Sequence, residues 1–380
     1  MNYQQLYEKI DSLKEKFLNV LIESCEIESP TAFKQGVDRV GDYFCALARE
    51  NGWQTEVCEQ KASGNCICIT MNPNASGKPI ALSGHMDTVH PVGSFKSITV
   101  EGDTLTAPGC FDCKGGIVTA LHAMQALQDM GYNERPVLLL LQSDEENSSI
   151  TSNKETVKFM AEKAKNCAAF LNCEGSTGKG IVVQRKGIIR YVFEVHGKAV
   201  HSSHCYKGKN AVLEAAHKII ELEKWKDEQG ITCNCGVING GSVANTVAGS
   251  CVFIADIRYA TSLQLQEVQD RVQKIADTSY IGGTSCTLTV KSQRIPMERS
   301  ERNIRLFERI NDICQSHGLG EREAIFRYGG SDAADISDYG IPCVDNMGIR
   351  GDGAHQDSEL VYISSLTDTA KMLATLICEL

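Results

Sequence analysis

The sequence predicts an α/β protein: an open sheet with crossover helices, interrupted by a smaller two-layer module. Short apolar runs alternate with helical patterns through the first half of the chain. Those runs are unbroken, as from Val137 to Leu141, which suits strands covered on both faces. From Gly187 the texture changes to a β-α-β-β-α-β order, the split two-layer arrangement. At 380 residues the chain has room for two or three domains of roughly 100–200 residues each.

The N-terminal stretch MNYQQLYEKIDSLKEKFLNVLIES carries Leu6, Ile10, Leu13, Phe17 and Leu21 at 3-4 spacing between charges, which predicts one amphipathic helix. NCICIT alternates as a strand does, with Cys66 and Cys68 on one face. KPIALSGH, RPVLLLLQS and CAAFLNCEG read as strands, separated by helices over KGGIVTALHAMQALQDMG and near NKETVKFMAEKA. Between Gly187 and Arg294 come strand GIIRYVFEVHG, a helix near NAVLEAAHKIIELEKW, strands ITCNCGVI and CVFIADIRYA, a helix near SLQLQEVQDRVQKIAD, and strand SCTLTVKSQ. Residues 187–294 therefore read as an insertion, and 1–186 with 295–380 as a discontinuous outer domain ending in the helix SSLTDTAKMLATLICEL.

A net charge of −10 repels nucleic acid and anionic membranes, so neither is expected as a partner. The N-terminus lacks the features of a signal peptide, and no apolar run approaches the ~18 residues of a membrane span. A soluble, cytoplasmic protein is expected. The 17 cysteines are odd in number and lie in a long chain, which argues for buried reduced thiols rather than a disulfide scaffold.

In an open α/β sheet the loops beyond the strand C-termini form the binding crevice. Three strands here end in His85 and Asp87, in Asp144, Glu145 and Glu146, and in Glu174; Asp112 stands just before a helix start. Carboxylates converging on one crevice repel unless a cation neutralises them. Mixed histidine and carboxylate donors suit zinc, with cobalt or manganese as alternatives. A shared carboxylate would bridge two ions about 3.5–4 Å apart. Asp87, two residues after His85, is placed to hold the second ring nitrogen. If the backbone is extended at Glu145 and Glu146 their side chains alternate, so one can bind metal while the other takes a proton from water.

The stretch APGCFDCKGG poses a choice between Asp112 and the flanking Cys110 and Cys113. A redox pair would make turnover sensitive to alkylation. The convergence of acids favours Asp112, with the sulfurs as neighbours whose oxidation or capture of a soft ion would poison the site.

SGHMDTV, PGCFDCKGG, SDEENSS, NCEGS, HGKAVHSS, ANTVAGSCVFIADIRYA, GGSDAA and GAHQDSE resemble, in order, the motifs of the dinuclear-zinc metallopeptidase family containing carboxypeptidase G, acetylornithine deacetylase and succinyl-diaminopimelate desuccinylase. The resemblance runs from about Leu82 to Glu359 and is nearest the carboxypeptidase G branch. It implies a catalytic domain with a mixed sheet and helices on both faces, and an inserted ferredoxin-like lid through which subunits dimerise. It implies two divalent ions, most simply zinc: Asp112 bridges, His85 and Glu174 complete one site, and Glu146 and His355 the other. Glu145 is then the general base with Asp87 in support, His201 stabilises the oxyanion, and Asn245 and Arg258 hold the substrate. The implied substrate is a small peptide or N-acyl amino acid with a free carboxylate next to the scissile amide. Val182 departs from the glutamate-binding pattern, in which a hydroxyl stands there, while Lys179 is retained. A deacylase of the acetylornithine or succinyl-diaminopimelate type is the alternative, and an inactive amino-acid-binding scaffold a remoter one.

Overall fold

The computed structural model describes residues 1–94 and 97–380. In chain order its elements begin with α1 (Tyr3–Ser12), α2 (Lys14–Glu26), α3 (Lys34–Glu50), β1 (Gln54–Cys58), β2 (Cys66–Met71), β3 (Ile80–His85), β4 (Thr99–Glu101) and β5 (Thr104–Thr106). An irregular turn over Cys110–Lys114 precedes α4 (Gly115–Asp129), β6 (Val137–Gln142), α5 (Glu155–Ala164), β7 (Ala169–Asn172) and β8 (Gly180–Arg185). Next come β9 (Gly187–His196), α6 (Ala211–Leu222), β10 (Thr232–Gly240), β11 (Ser250–Tyr259), α7 (Ser262–Asp277) and β12 (Ser285–Arg294). The chain closes with α8 (Glu301–Ser316), β13 (Glu323–Arg327), α9 (Asp332–Asp338), β14 (Cys343–Val344), β15 (Gly351–Asp352), β16 (Leu360–Tyr362) and α10 (Ser364–Glu379).

Two compact units result, one of Met1–Gln184, Arg299–Phe326 and Ser331–Leu380, the other of Arg185–Glu298 with Arg327–Gly330. In the first unit a six-stranded sheet runs β1-β2-β6-β3-β7-β14. Its β6, β3, β7 and β14 are parallel, and β1 and β2 add antiparallel. Every residue of β3, β6 and β7 is buried, as their continuous apolar runs require. Helix α4 is apolar almost all round because it lies between β3 and β6 on one side and α1, α2 and α10 on the other. A second sheet, β15-β16-β5-β4, carries the loops that bear Asp112 and His355.

The amphipathic pattern at the N-terminus forms two helices rather than one. The chain breaks at Leu13, where φ is −94° and ψ 0° and the amide bonds back to the Ile10 carbonyl at 3.1 Å. Leu6, Ile10, Phe17 and Leu21 are buried on either side of the break.

The second unit is an antiparallel sheet in the order β10-β11-β9-β12, with α6 and α7 packed on one face, which is the ferredoxin-like arrangement. Strand β9 buries Ile189, Tyr191, Phe193 and Val195 in alternation against Phe253, Ala255 and Ile257 of β11. The stretch Arg327–Gly330, whose place in this unit the strand and helix pattern does not mark, joins it: the Lys186 amide donates to the Arg327 carbonyl, and Arg185 Nη1 to that of Gly329.

Candidate metal centre

Because β6, β3 and β7 are parallel neighbours, their C-terminal ends open on one edge, where His85, the turns after Gln142 and Glu174 meet. His85 is the last residue of β3 and is 1% exposed. Its Nδ1 lies 2.9 Å from the Asp87 carbonyl and 3.4 Å from Asp87 Oδ1. Donation from Nδ1 to that carbonyl leaves Nε2 for other partners. Nε2 lies 2.7 Å from Asp112 Oδ1 and 3.7 Å from Glu174 Oε1.

The Asp87 carboxylate has a different main task from the one its spacing suggests. It accepts hydrogen bonds from the Glu145 amide at 3.1 Å, the Glu146 amide at 3.2 Å and the Thr31 hydroxyl at 2.7 Å, and so anchors the loop bearing both glutamates. That loop is a series of turns, so strand alternation does not separate the two side chains; the paired amides on Asp87 do. Asp144 is no part of the cluster, since its carboxylate accepts from the Ser152 amide and the Thr156 hydroxyl, each at 2.8 Å.

Asp112 sits in the irregular turn before α4, where its φ of −122° and that of Cys113, −137°, leave the helical range. The peptide bond joining them is cis. Glu359 shapes this turn: Oε1 accepts from the Phe111 amide at 2.8 Å and the Asp112 amide at 2.9 Å, and Oε2 from the Gly109 amide at 3.0 Å. His90 Nε2 lies 2.9 Å from the same Oε2. Below the turn Lys114 is buried, its ammonium donating to the carbonyls of Ser24 and Ile27 at 3.0 and 2.8 Å. Gly116 passes so close to β7 that a Cβ there would stand 1.8 Å from the Cys173 carbonyl oxygen.

One carboxylate thus faces two imidazoles. Asp112 Oδ1 meets His85, and Oδ2 lies 3.1 Å from His355 Nε2, which is also 3.1 Å from Glu146 Oε2. His355 is held at a left-handed φ of +66°, an uncommon conformation for a residue with a side chain. Ligand atoms of His85, Asp112 and Glu146 lie within 4.8 Å of one another, as do those of His85, Cys113 and Glu174. Glu145 is 9% exposed beside them.

The electrostatics are those of buried carboxylates crowded around two imidazoles. Burial, with Asp112 adding to it against His355, pushes the Glu146 carboxyl up to about 7. Burial also raises Glu174 far above the usual range, with Asp112 and Glu145 adding to it and His85 opposing. For Asp112 burial is outweighed by His355 and His85, which hold its carboxyl well below the usual range. Hydrogen bonds to Asp112 and Glu146 push His355 up to about 10 against burial. Burial likewise opposes charge on His85, but Cys113, Glu174, Asp112 and Asp87 hold it well above its ordinary value. The cluster holds protons where cations would balance it, and metal binding would exchange the one for the other. Among the described residues Glu146 Oε1 is buried without a hydrogen-bond partner, a lone pair set for such a cation.

The remaining nominated residues lie in the second unit. The backbone brings His201 and Asn245 together: His201 pairs with Thr246, and the Ser202 amide donates to the Asn245 carbonyl at 2.8 Å. The His201 ring is exposed, with Nδ1 2.8 Å from the Ser203 hydroxyl. Arg258, near the far end of β11, is engaged by Asp256 through Nε at 2.6 Å and Nη2 at 3.3 Å, while Nη1 reaches the Tyr328 carbonyl at 3.4 Å. Burial alone would raise the Asp256 carboxyl, but Arg258 and Arg190 draw it below the usual range. Sequence reasoning gave no role to Glu359, His90, Thr31 or Lys114. Glu359 had a signal, its place four residues after His355 in GAHQDSE, but its amide partners lie about 250 residues earlier.

A model of the family described as Peptidase family M20/M25/M40 matches residues 81–379. Carboxypeptidase G2 of Pseudomonas sp. (strain RS-16) is 26% identical over 376 residues, covering 96% of this chain and 89% of that protein. A probable succinyl-diaminopimelate desuccinylase of Staphylococcus aureus (strain MRSA252) is 26% identical over 332 residues, 75% of this chain and 79% of that one. The solved structure of a tripeptidase from Staphylococcus aureus superposes with a TM-score of 0.83 at 21% identity, over 96% of this chain and 97% of the other, and so shares the fold.

Proposed function

We propose that this chain, which belongs to peptidase family M20/M25/M40 and hence to the metal-dependent hydrolases of amide bonds, cleaves the amide next to a free carboxylate in small peptides or N-acyl amino acids. The observation that carries this reading is Asp112, whose two oxygens face two different histidines, each with a glutamate of its own within reach. His85 and Glu174 would hold one ion, Glu146 and His355 the other, and Asp112 both. The donor set and the orphaned Glu146 Oε1 fit divalent zinc. Bound there, such ions polarise a carbonyl and lower the pKa of water.

Glu145 is the group left to move the proton. It lies beside the cluster, its amide is pinned to Asp87, and the side chain takes the proton of the attacking water and returns it to the leaving nitrogen. Arg258 orients the substrate carboxylate through the guanidinium edge that Asp256 does not occupy. Within one lid, Asn245 and His201 lie before the start of β11 and Arg258 near its end, ~26 Å of strand apart from Ser250 to Arg258. All three cannot touch one small substrate from a single copy. A homodimer through the lid resolves this, with His201 and Asn245 serving the partner's site. Edge strand β10 supports it: Trp225 and Glu223 engage the Cys233 and Cys235 amides on its outer side, and beyond them Val237, Ile238 and the nearby Val243 are exposed.

The test is a panel of Xaa-Glu dipeptides beside N-acetyl and N-succinyl amino acids, with and without chelator, on the parent and Glu145→Ala. Chelator-sensitive hydrolysis of the dipeptides is expected. Glu145→Ala should lower turnover by at least ~10²–10⁴-fold while keeping two metals per chain. An active Glu145→Ala protein removes Glu145 from this role, and cleavage confined to the acyl amino acids makes the enzyme a deacylase.

A further inference from the structure

Of the two cysteines around Asp112, only Cys113 reaches the proposed centre. Cys110 is buried with Sγ directed at the carbonyls of Leu105 and Glu359, each at 3.7 Å, and the nearby Cys173 directs Sγ at the Leu171 carbonyl at 3.6 Å. The Cys113 sulfur lies within 4.8 Å of donor atoms of both His85 and Glu174. Gly84 backs it, leaving 3.2 Å between Sγ and where a Cβ would stand, so the sulfur is packed against β3 at the end that carries His85. Its proton is directed at the Cys173 carbonyl at 3.2 Å.

We propose that Cys113 is a sulfur ligand of the ion held by His85 and Glu174, an inference that rests on the metal-centre reading above. On binding, the S–H bond breaks, a metal–sulfur bond forms and the proton leaves to solvent; nothing is oxidised or reduced. The consequence is an unequal pair of sites. His85, Glu174 and Cys113 offer one ion a mixed nitrogen, oxygen and sulfur set, whereas His355, Glu146 and Asp112 offer the other nitrogen and oxygen only. A thiolate also biases that site towards zinc or cadmium and against manganese.

Cobalt(II) loading of the whole protein, followed by absorption spectroscopy, reads this directly. The parent and a Cys110→Ser control should show a near-ultraviolet sulfur-to-cobalt charge-transfer band, and Cys113→Ser and Cys113→Ala should lose it. X-ray absorption of the zinc-loaded parent should show a sulfur at ~2.3 Å, a measurement that needs no variant to fold. Uptake of two cobalt ions without the band, or a band that survives Cys113→Ser, overturns the sulfur ligand and leaves the centre standing. A parent that binds no cobalt or zinc at all sinks the centre and the ligand together.

Discussion

Glu359→Gln is the sharpest probe of how the Asp112 turn is built. The carboxylate is 1% exposed and accepts three backbone amides, those of Gly109, Phe111 and Asp112, with His90 at its edge. Glutamine keeps the shape but offers one accepting end, so its NH₂ must oppose at least one of those buried donors. Losing a hydrogen bond to a charged group costs about 1.5–3 kcal/mol. For a domain of this size each kcal/mol is worth roughly 2–4 °C, so the melting temperature should fall by about 3–12 °C. Glu359→Ala orphans all three amides, at about 1–3 kcal/mol each, and should cost about 3–9 kcal/mol. Because one of the amides is that of Asp112 itself, zinc affinity should also drop, by the ~10–100-fold typical of groups that orient a ligand. Thermal unfolding of metal-free protein and zinc titration of the variants measure both effects. A Glu359→Gln protein that melts within about 1 °C of the parent and binds zinc unchanged refutes the reasoning.

His122 gives a pH test remote from the centre. It is buried against Phe17, with ring centroids 4.5 Å apart and Nε2 2.8 Å from the Ile10 carbonyl, and burial lowers its pKa to about 4. The folded value lies below the unfolded one of ~6.5, so the fold favours the neutral ring; its contribution is complete above pH ~6.5 and is lost as pH falls towards 4, about 3 kcal/mol in all. The stability difference between the parent and His122→Gln should therefore shift across that window, and a difference constant with pH rules the account out. Gly116→Ala should force α4 away from the Cys173 carbonyl, costing about 1–3 kcal/mol or more and weakening zinc retention. Gly282→Ala, with nothing within 4 Å of its Cβ, is the control and should be close to neutral; equal effects at the two positions would contradict the close-approach argument.

Sequence alone determined the β3-α4-β6-α5-β7 core and the order of the inserted β9-α6-β10-β11-α7-β12 module, because burial on both faces writes itself as unbroken runs such as Val137–Leu141 and burial on one face as the alternation of β9. It also nominated His85, Asp112, the Glu145–Glu146 pair and Glu174, since acids and a histidine beside buried strand ends are conspicuous against apolar neighbours, while His355 and the choice of Glu146 as ligand came with the family resemblance; the structure gathers His85, Asp112, Glu146, Glu174 and His355. Tertiary structure decided the rest. Whether one helix or two forms at Leu13 is a choice the 3-4 spacing does not record. That Asp87 anchors the Glu145 and Glu146 amides, that Glu359 holds the Asp112 turn across nearly 250 residues, and that Cys113 rather than Cys110 turns towards His85 are directions of side chains and amides. Periodicity carries which face a residue takes within its own element; it carries nothing about the partner that another element brings to that face.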